Sequence, residues 1–133
     1  ARLVGSEMCI RDRVAHLSMG NPHSVVGVDE VGVVDLAQLG GMIPHVNLEI
    51  IEPGPEPHAI TMRVHERGVG ITEACGTGAC AAAFAARSWG LVTPSEPAVT
   101  VHMEGGTAHV RFDGAVAELT GPATHVADLE VNA

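Results

Sequence analysis

The sequence predicts an α+β domain in which a mixed, mostly antiparallel sheet curls like a barrel around one central buried helix. Several short segments alternate apolar and polar residues at period two and are separated by Gly, Pro or Asn turns, a pattern typical of strands. One alanine-rich run, residues 76–89, is apolar on nearly every side, so its helix should be enclosed. The length of 133 residues fits a single domain with its own core.

The first half of the chain predicts four strands and a short helix. The strands are expected at residues 14–18, 24–29, 46–51 and 59–66. The helix should begin near Val34 or Asp35, with Asp35 as N-cap, and Gly40-Gly41 with Pro44 should stop it early. The proline-rich segment 52–57 should join its two neighbouring strands as a hairpin-like loop.

The second half predicts the central helix followed by a meander. Gly90 is the expected C-cap of the helix. Strands are expected at residues 98–104, 108–113 and 116–120, joined by tight Gly105-Gly106 and Asp113-Gly114 turns, and residues 123–131 could add a last strand.

Composition excludes several function classes. With 7 basic and 16 acidic residues the formal charge is −9, which would repel a phosphate backbone, and two Phe, one Trp and no Tyr offer little to stack on bases. We therefore expect no nucleic-acid partner. No stretch of the sequence is long and apolar enough to span a membrane. Three cysteines without a Cys-x-x-Cys pair or signal peptide predict a reducing, cytoplasmic setting. Eight scattered histidines lack ligand spacing, so no metal site is expected.

Cys75 is the first candidate catalytic residue, because it stands on a glycine-rich turn that opens the central helix. Unpaired N–H groups and the helix dipole favour the thiolate there and predict a pKa below the free value of about 8.5. The same N–H groups can hold a carboxylate. The alternative is a packed, inert cysteine. Cys80 lies about 140° around the helix and is predicted to be core, in a stripe with Phe84 and Leu91.

Five further polar residues stand near turns and strand ends: Asn21, His23, Asn47, Glu66 and Arg67. Taken singly, they are explained as a turn former, a strand-edge polar residue and a solvated ion pair. Taken together they suit an amino acid. An arginine binds a carboxylate with two donors, a glutamate accepts from an ammonium, and amides orient both.

Four motifs carry a family resemblance: Met-Gly-Asn-Pro-His at 19–23, Val-Asn at 46–47, Glu-Arg-Gly-Val-Gly at 66–70 and Ala-Cys-Gly-Thr-Gly-Ala-Cys-Ala at 74–81. From residue 14 onward the chain resembles the C-terminal half of the diaminopimelate epimerases, enzymes without a cofactor that interconvert LL- and meso-diaminopimelate. The resemblance implies two similar α+β domains closing over the substrate.

The resemblance also implies a role for each site residue. Cys75 would be one of two thiols that act as acid and base on opposite faces of the α-carbon. The N–H groups of Gly76 and Thr77 would bind the reacting carboxylate. Glu66 would bind the distal ammonium and, with His23, tune the pKa of the thiols. The distal carboxylate would be held by Asn21, Asn47 and Arg67.

One departure from the family pattern limits this expectation. The second catalytic cysteine of the family lies in a Cys-Gly-Asn-Gly turn of an N-terminal domain, whereas Cys9 stands in Met-Cys-Ile-Arg without the glycines. The implied partners are therefore diaminopimelate and an N-terminal domain that carries the other cysteine. We expect the chain alone to be inactive, and a face left uncovered by that domain could drive formation of a homodimer.

Residues 1–13 are predicted to be a tail outside this domain, which would span residues 14–133. The stretch 4–13 resembles the peptide encoded by translated sequencing-adapter DNA, and an ordinary exposed tail is the alternative.

Three alternative functions remain open at this point. A proline racemase relative would share the thiol pair but would not need Glu66 and Arg67. A non-catalytic interaction domain would merely pack Cys75. A cysteine hydrolase would need a histidine and an Asn or Asp near the nucleophile, and the sequence shows no such set beside Cys75.

Overall fold

One sheet runs through the chain in the computed structural model, which describes residues 10–93, 95–121 and 125–133. Within these ranges the chain forms nine strands, two α-helices and one short 3-10 helix at Val31–Val33. The α-helices are α1 (Leu36–Met42) and α2 (Gly76–Ser88). The strands are β1 (Ile10–Ser18), β2 (Pro22–Val28), β3 (Asn47–Pro53), β4 (Ala59–Glu66), β5 (Gly70–Thr72), β6 (Ala98–Met103), β7 (Gly106–Asp113), β8 (Val116–Thr120) and β9 (His125–Glu130).

The sheet curls until its two edges meet. Its order is β1-β2-β3-β4-β6-β7-β8-β9, with β5 paired to β4. The pairs β2–β3 and β4–β6 are parallel, and the other pairs are antiparallel. Ser18 at the end of β1 exchanges two backbone hydrogen bonds of 2.7 and 2.9 Å with Asn132, just beyond β9. The predicted barrel-like, mostly antiparallel sheet is thereby confirmed.

Helix α2 lies inside this sheet and contacts seven of its strands, β1 to β4 and β6 to β8. Each alanine from Ala79 to Ala86, as well as Cys80, is at most 1% exposed, so the predicted enclosure of the helix and the core position of Cys80 are confirmed. Gly90 follows the helix at φ +72°, a left-handed conformation that glycine adopts without strain. No helix in the described part of the chain is long and apolar enough to cross a membrane.

Helix α1 packs on the outer face of the sheet, away from α2. Leu36 and Leu39 join a second apolar cluster with Leu48 and Ile50 of β3. The predicted N-cap is confirmed, because the Asp35 carboxylate accepts a 3.2 Å hydrogen bond from the backbone N–H of Gln38.

The end of α1 differs from the prediction. The helix runs through Gly40 and Gly41 to Met42 instead of stopping at the glycines. Gly40 lies against the imidazole of His65 on β4, where a Cβ atom would come within 2.2 Å of Cγ. Close packing of helix on strand therefore requires glycine and outweighs its low helix propensity.

The predicted strands are present, with shifted ends. The hairpin between β3 and β4 and the meander β6-β7-β8 are confirmed. Strand β1 begins at Ile10 because the backbone of this segment pairs with Val28 of β2. Strand β5 was not predicted, since three residues are too few for a periodic pattern. Residues 1–9 and 122–124 lie outside the described ranges, so the boundary of the predicted tail stays a prediction.

Replacing Gly40 with alanine should lower the free energy of unfolding by about 1–3 kcal/mol, because the new methyl group would overpack the contact with His65. The matched control is Gly41→Ala, since a Cβ at that position meets nothing within 4 Å. The control should gain up to about 1 kcal/mol from helix propensity. Urea denaturation measures both variants, and equal effects would contradict the proposed packing constraint.

Candidate active site

The candidate residues lie together at one end of the barrel. Strands β2 and β3 are parallel, so His23, the second residue of β2, lies beside Asn47, the first residue of β3. Strand β4 is antiparallel to β3 and ends at this same edge with Glu66. Helix α2 also begins here, because a Cβ on its residue Gly78 would be 3.0 Å from the Glu49 carboxyl group of β3. The topology therefore gathers motifs that are far apart in sequence.

Cys75 is the N-cap residue of α2. Its backbone is extended, with φ −150° and ψ 113°, and its Sγ accepts a 3.3 Å hydrogen bond from the N–H of Gly78. The Thr77 hydroxyl lies 3.6 Å from the same sulfur. The thiol is partly buried. A cysteine thus occupies the place where a serine or aspartate commonly caps a helix.

The pKa of the Cys75 thiol is raised, so the expectation of a lowered value is wrong for this chain. Burial is the largest cause, because it disfavours the charged form. The hydrogen bonds from Thr77 and Gly78 lower the pKa but do not offset burial. The negative charge of Glu66 raises it further, and Glu49 would do the same wherever its carboxyl group ionised. The sequence revealed the helix terminus and, through the family resemblance, Glu66, but it did not reveal Glu49.

The first turn of α2 provides backbone donors beside this thiol. Helix geometry leaves the N–H groups of Gly76 and Thr77 without an acceptor inside the helix. Position 78 is tightly packed, because a Cβ would lie 3.0 Å from Glu49 Oε2 and 3.1 Å from Cys75 Sγ. The backbone can therefore approach an anion closely at this end of the helix.

His23 is buried at the start of β2, with 1% of its surface exposed. Its Nδ1 is 2.8 Å from Oε2 of Glu49, and its Nε2 is 3.0 Å from Oδ1 of Asn21. Burial, followed by the positive charge of Arg67, lowers the pKa of His23 to about 4. The imidazole is therefore neutral at physiological pH.

Glu49 is a site residue that the sequence analysis missed. It is 0% exposed, and its pKa is raised well above the ordinary value by burial and then by the charge of Glu66. One signal was available: a carboxyl group stands inside the apolar run Leu48-Glu49-Ile50-Ile51. The alternation of apolar and polar residues puts Glu49 on a polar face of the strand. Both faces of β3 are buried, however, one by α2 and one by α1.

Asn47 and Glu66 organise the turn that carries Arg67. The Asn47 side chain donates to the carbonyl of Pro22 at 3.0 Å and accepts from the backbone N–H of Arg67 at 2.8 Å. It is 5% exposed, so it is not the strand-edge polar residue of the simpler interpretation. Glu66 Oε2 accepts a short hydrogen bond from the Thr72 hydroxyl of β5. The Arg67 side chain remains exposed.

The assembled groups can perform acid and base chemistry on a charged ligand. The thiol of Cys75 can exchange a proton, the first turn of α2 can bind an anion, and Arg67 presents an exposed guanidinium. Across the described ranges, no three His, Cys, Asp or Glu side chains are grouped so that they could hold a metal ion.

Iodoacetamide should alkylate Cys75 slowly at pH 7 and increasingly fast as the pH rises through and beyond about 8.5, the pKa of a free thiol. A raised pKa leaves less thiolate at any given pH, which gives the sign of this effect. Peptide-resolved mass spectrometry separates Cys75 from Cys80 and Cys9. The urea-unfolded chain is the control and should react faster at pH 7, whereas a folded-state rate that levels off below pH 8 would contradict the result.

Comparison with known proteins places the chain among enzymes that match it over much of its length. The family model described as diaminopimelate epimerase matches residues 15–126. A diaminopimelate epimerase of Thioalkalivibrio sulfidiphilus is 41% identical over 126 residues, covering 85% of this chain and 43% of the relative. One from a Cyanothece strain is 43% identical over 122 residues, covering 85% and 42%. The chain thus spans less than half the length of these relatives.

Solved structures share the fold at low sequence identity. A putative phenazine biosynthesis protein from Clostridium difficile superposes with a TM-score of 0.64 at 15% identity, over 80% of this chain and 42% of that one. A hydroxyproline epimerase from Agrobacterium vitis gives 0.56 at 13% identity, over 84% and 42%. These likenesses establish the α+β fold, and the sequence matches establish the family. The chain belongs to the diaminopimelate epimerase family.

Proposed function

We propose that this chain is the C-terminal domain of a diaminopimelate epimerase that works without a cofactor, and that Cys75 is one of its two acid–base thiols. The observation that carries the proposal is the position of Cys75 at the start of the enclosed helix, at the barrel end where Glu66 and Arg67 also lie. The sequence relatives named diaminopimelate epimerase support the reaction. The enzyme would serve lysine and peptidoglycan precursor synthesis in the cytoplasm.

The chemistry at the α-carbon needs two protonation sites on opposite faces. One thiolate takes the α-proton and becomes a thiol. The carbanion then receives the proton of the opposite thiol, which becomes a thiolate, so the centre is inverted. The N–H groups of Gly76 and Thr77 stabilise the negative charge that grows on the α-carboxylate. With its raised pKa, Cys75 rests as the thiol, and the α-ammonium of a bound amino acid would lower that pKa.

The far end of the substrate requires a second set of charges. Arg67 would bind the distal carboxylate with Asn21 and Asn47, and Glu66 would accept from the distal ammonium. The hydrogen bond from the Arg67 backbone N–H to Asn47 supports this arrangement, because it fixes the backbone from which the Arg67 side chain extends. A substrate with two amino-acid ends satisfies both sets of groups.

The second thiol would come from an N-terminal domain, with residues 14–133 forming the domain described here. The share of the relatives that this chain covers, 42–43%, supports a two-domain enzyme. Val69 and Ile71 stand beside the site and are 73% and 43% exposed, which favours cover by another protein surface. A homodimer of this chain is the other way to cover them.

The 133-residue chain alone should not incorporate deuterium from heavy water into diaminopimelate, because it supplies only one of the two thiols and one side of the proposed cleft, so that it binds the substrate weakly. Mass spectrometry of the recovered substrate measures the incorporation. Fusing the N-terminal half of the Thioalkalivibrio relative to this chain should restore incorporation, and Cys75→Ser in the fusion should remove it again. Appreciable turnover by the unfused chain would contradict the proposal.

Substituting Arg67 with alanine in the same fusion should raise the KM for diaminopimelate about 10- to 100-fold, the loss of a charge-assisted contact. Arg67→Lys is the conservative control and should recover part of the affinity. Proline turnover that exceeds diaminopimelate turnover and is insensitive to Arg67→Ala would instead favour a proline racemase-type enzyme. If alkylated and unmodified fusions behave alike in every assay, Cys75 is merely packed and a non-catalytic interaction domain is favoured.

A further inference from the structure

Glu49 is a buried carboxyl group whose hydrogen bonds are only half satisfied. Its side chain and that of His23 are both 0% exposed. Oε2 lies 2.8 Å from His23 Nδ1, whereas Oε1 has no hydrogen-bond partner among the described residues. A buried carboxylate with one unpaired oxygen costs far more than a buried carboxylic acid. This asymmetry indicates which of the two groups carries the proton.

The contacts of His23 locate its protons. The Oδ1 atom of Asn21 can only accept, so the His23 Nε2 that is 3.0 Å away must be the donor. A neutral imidazole has one N–H, which leaves Nδ1 as an acceptor. Oε2 of Glu49 must then donate to Nδ1, and it can donate only as a carboxylic acid.

We propose that Glu49 is a positioning residue which, as a neutral acid, fixes His23 in its Nε2–H tautomer and keeps negative charge away from Cys75. The proposal rests on the proposed role of Cys75 for its functional meaning only. The proton of Glu49 stays on the carboxyl group, and the Nε2–H of His23 donates a hydrogen bond to Oδ1 of Asn21. His23 thereby holds the Asn21 amide in one orientation at the barrel end where the substrate would bind.

The position of Glu49 gives it direct influence on the thiol. Glu49 Oε2 and Cys75 Sγ lie 3.0 and 3.1 Å from the point where a Gly78 Cβ would stand, so only the missing side chain separates them. A carboxylate here would oppose formation of the thiolate, whereas a neutral acid would not. The charged and titratable groups around Glu49 are His23 on β2, Glu66 and Arg67 at the end of β4, and Cys75 at the start of α2.

The tautomer of His23 in the full chain tests the proposal without any substrate. Imidazole ¹⁵N NMR at pH 7 should show Nε2 protonated and Nδ1 unprotonated. An Nδ1–H tautomer, or a doubly protonated ring, would make Glu49 a carboxylate and overturn the proposal. Because no turnover is measured, the result is independent of whether the enzyme acts on diaminopimelate.

Two variants test the link to Cys75. Glu49→Gln replaces the O–H donor by an N–H donor, so His23 should keep its tautomer and the alkylation rate of Cys75 at pH 7 to 8 should stay within about twofold of the parent. Glu49→Leu removes the donor to Nδ1. The Asn21 amide can then turn to meet either tautomer with its oxygen or its NH2 group, so His23 should become a mixture of tautomers.

Three results of these variants would be read differently. If Glu49 were ionised, Glu49→Gln would remove a negative charge and speed alkylation about tenfold for each unit by which the pKa of Cys75 fell. An unchanged tautomer in Glu49→Leu would show that Glu49 does not position His23. If Glu49→Leu fails to fold, the parent and Glu49→Gln spectra decide by themselves.

Discussion

The enclosure of an alanine-rich helix by a curled sheet is the constraint on which the rest of this structure depends. Helix α2 contacts seven strands, and its alanines from Ala79 to Ala86 are at most 1% exposed. Methyl side chains keep the helix thin enough for strands to approach from several sides, and adding larger side chains to such a core costs about 1–3 kcal/mol each. The start of the helix, and with it Cys75, is therefore fixed at one end of the barrel.

The interior of the site is kept neutral by burial. The same effect raises the pKa values of Cys75 and Glu49 and lowers that of His23, so each of the three groups favours its uncharged form. The exposed charge of Arg67 lies at the rim. A zwitterionic ligand would bring its own charges into a site that already contains donors and acceptors for them. With this division, the carboxylates of the proposed substrate would meet few negative charges inside the site, although the chain has a net charge of −9.

The sequence predicted those strands, helices and candidate residues that depend on a local residue pattern. Period-two alternation located β4 at its observed bounds, and the alanine run and Gly90 located α2 within one residue. Motif spacing identified Cys75, and the topology explains why Asn21, His23 and Asn47 accompany it. The match to the family model agrees with the resemblance seen in these motifs.

What the sequence did not reveal depends on contacts between distant segments. Burial by distant segments is the largest cause of the raised pKa of Cys75, and the local pattern around the helix terminus does not show that burial. Glu49 was missed because alternation cannot tell that both faces of β3 are covered. Gly40 stays helical because His65, 25 positions later on β4, leaves no room for a side chain.

The enclosed helix holds Cys75 in place within this chain alone. Residue-resolved amide hydrogen exchange measures it most directly. The amides of Ala79 to Ala86 should exchange only through global unfolding, with the same free energy as the central strands, while those of Gly76 and Thr77 should exchange freely at the open end. Helix amides that exchange with a distinctly lower free energy than β3 and β4 would contradict it, because the helix would then open without the barrel.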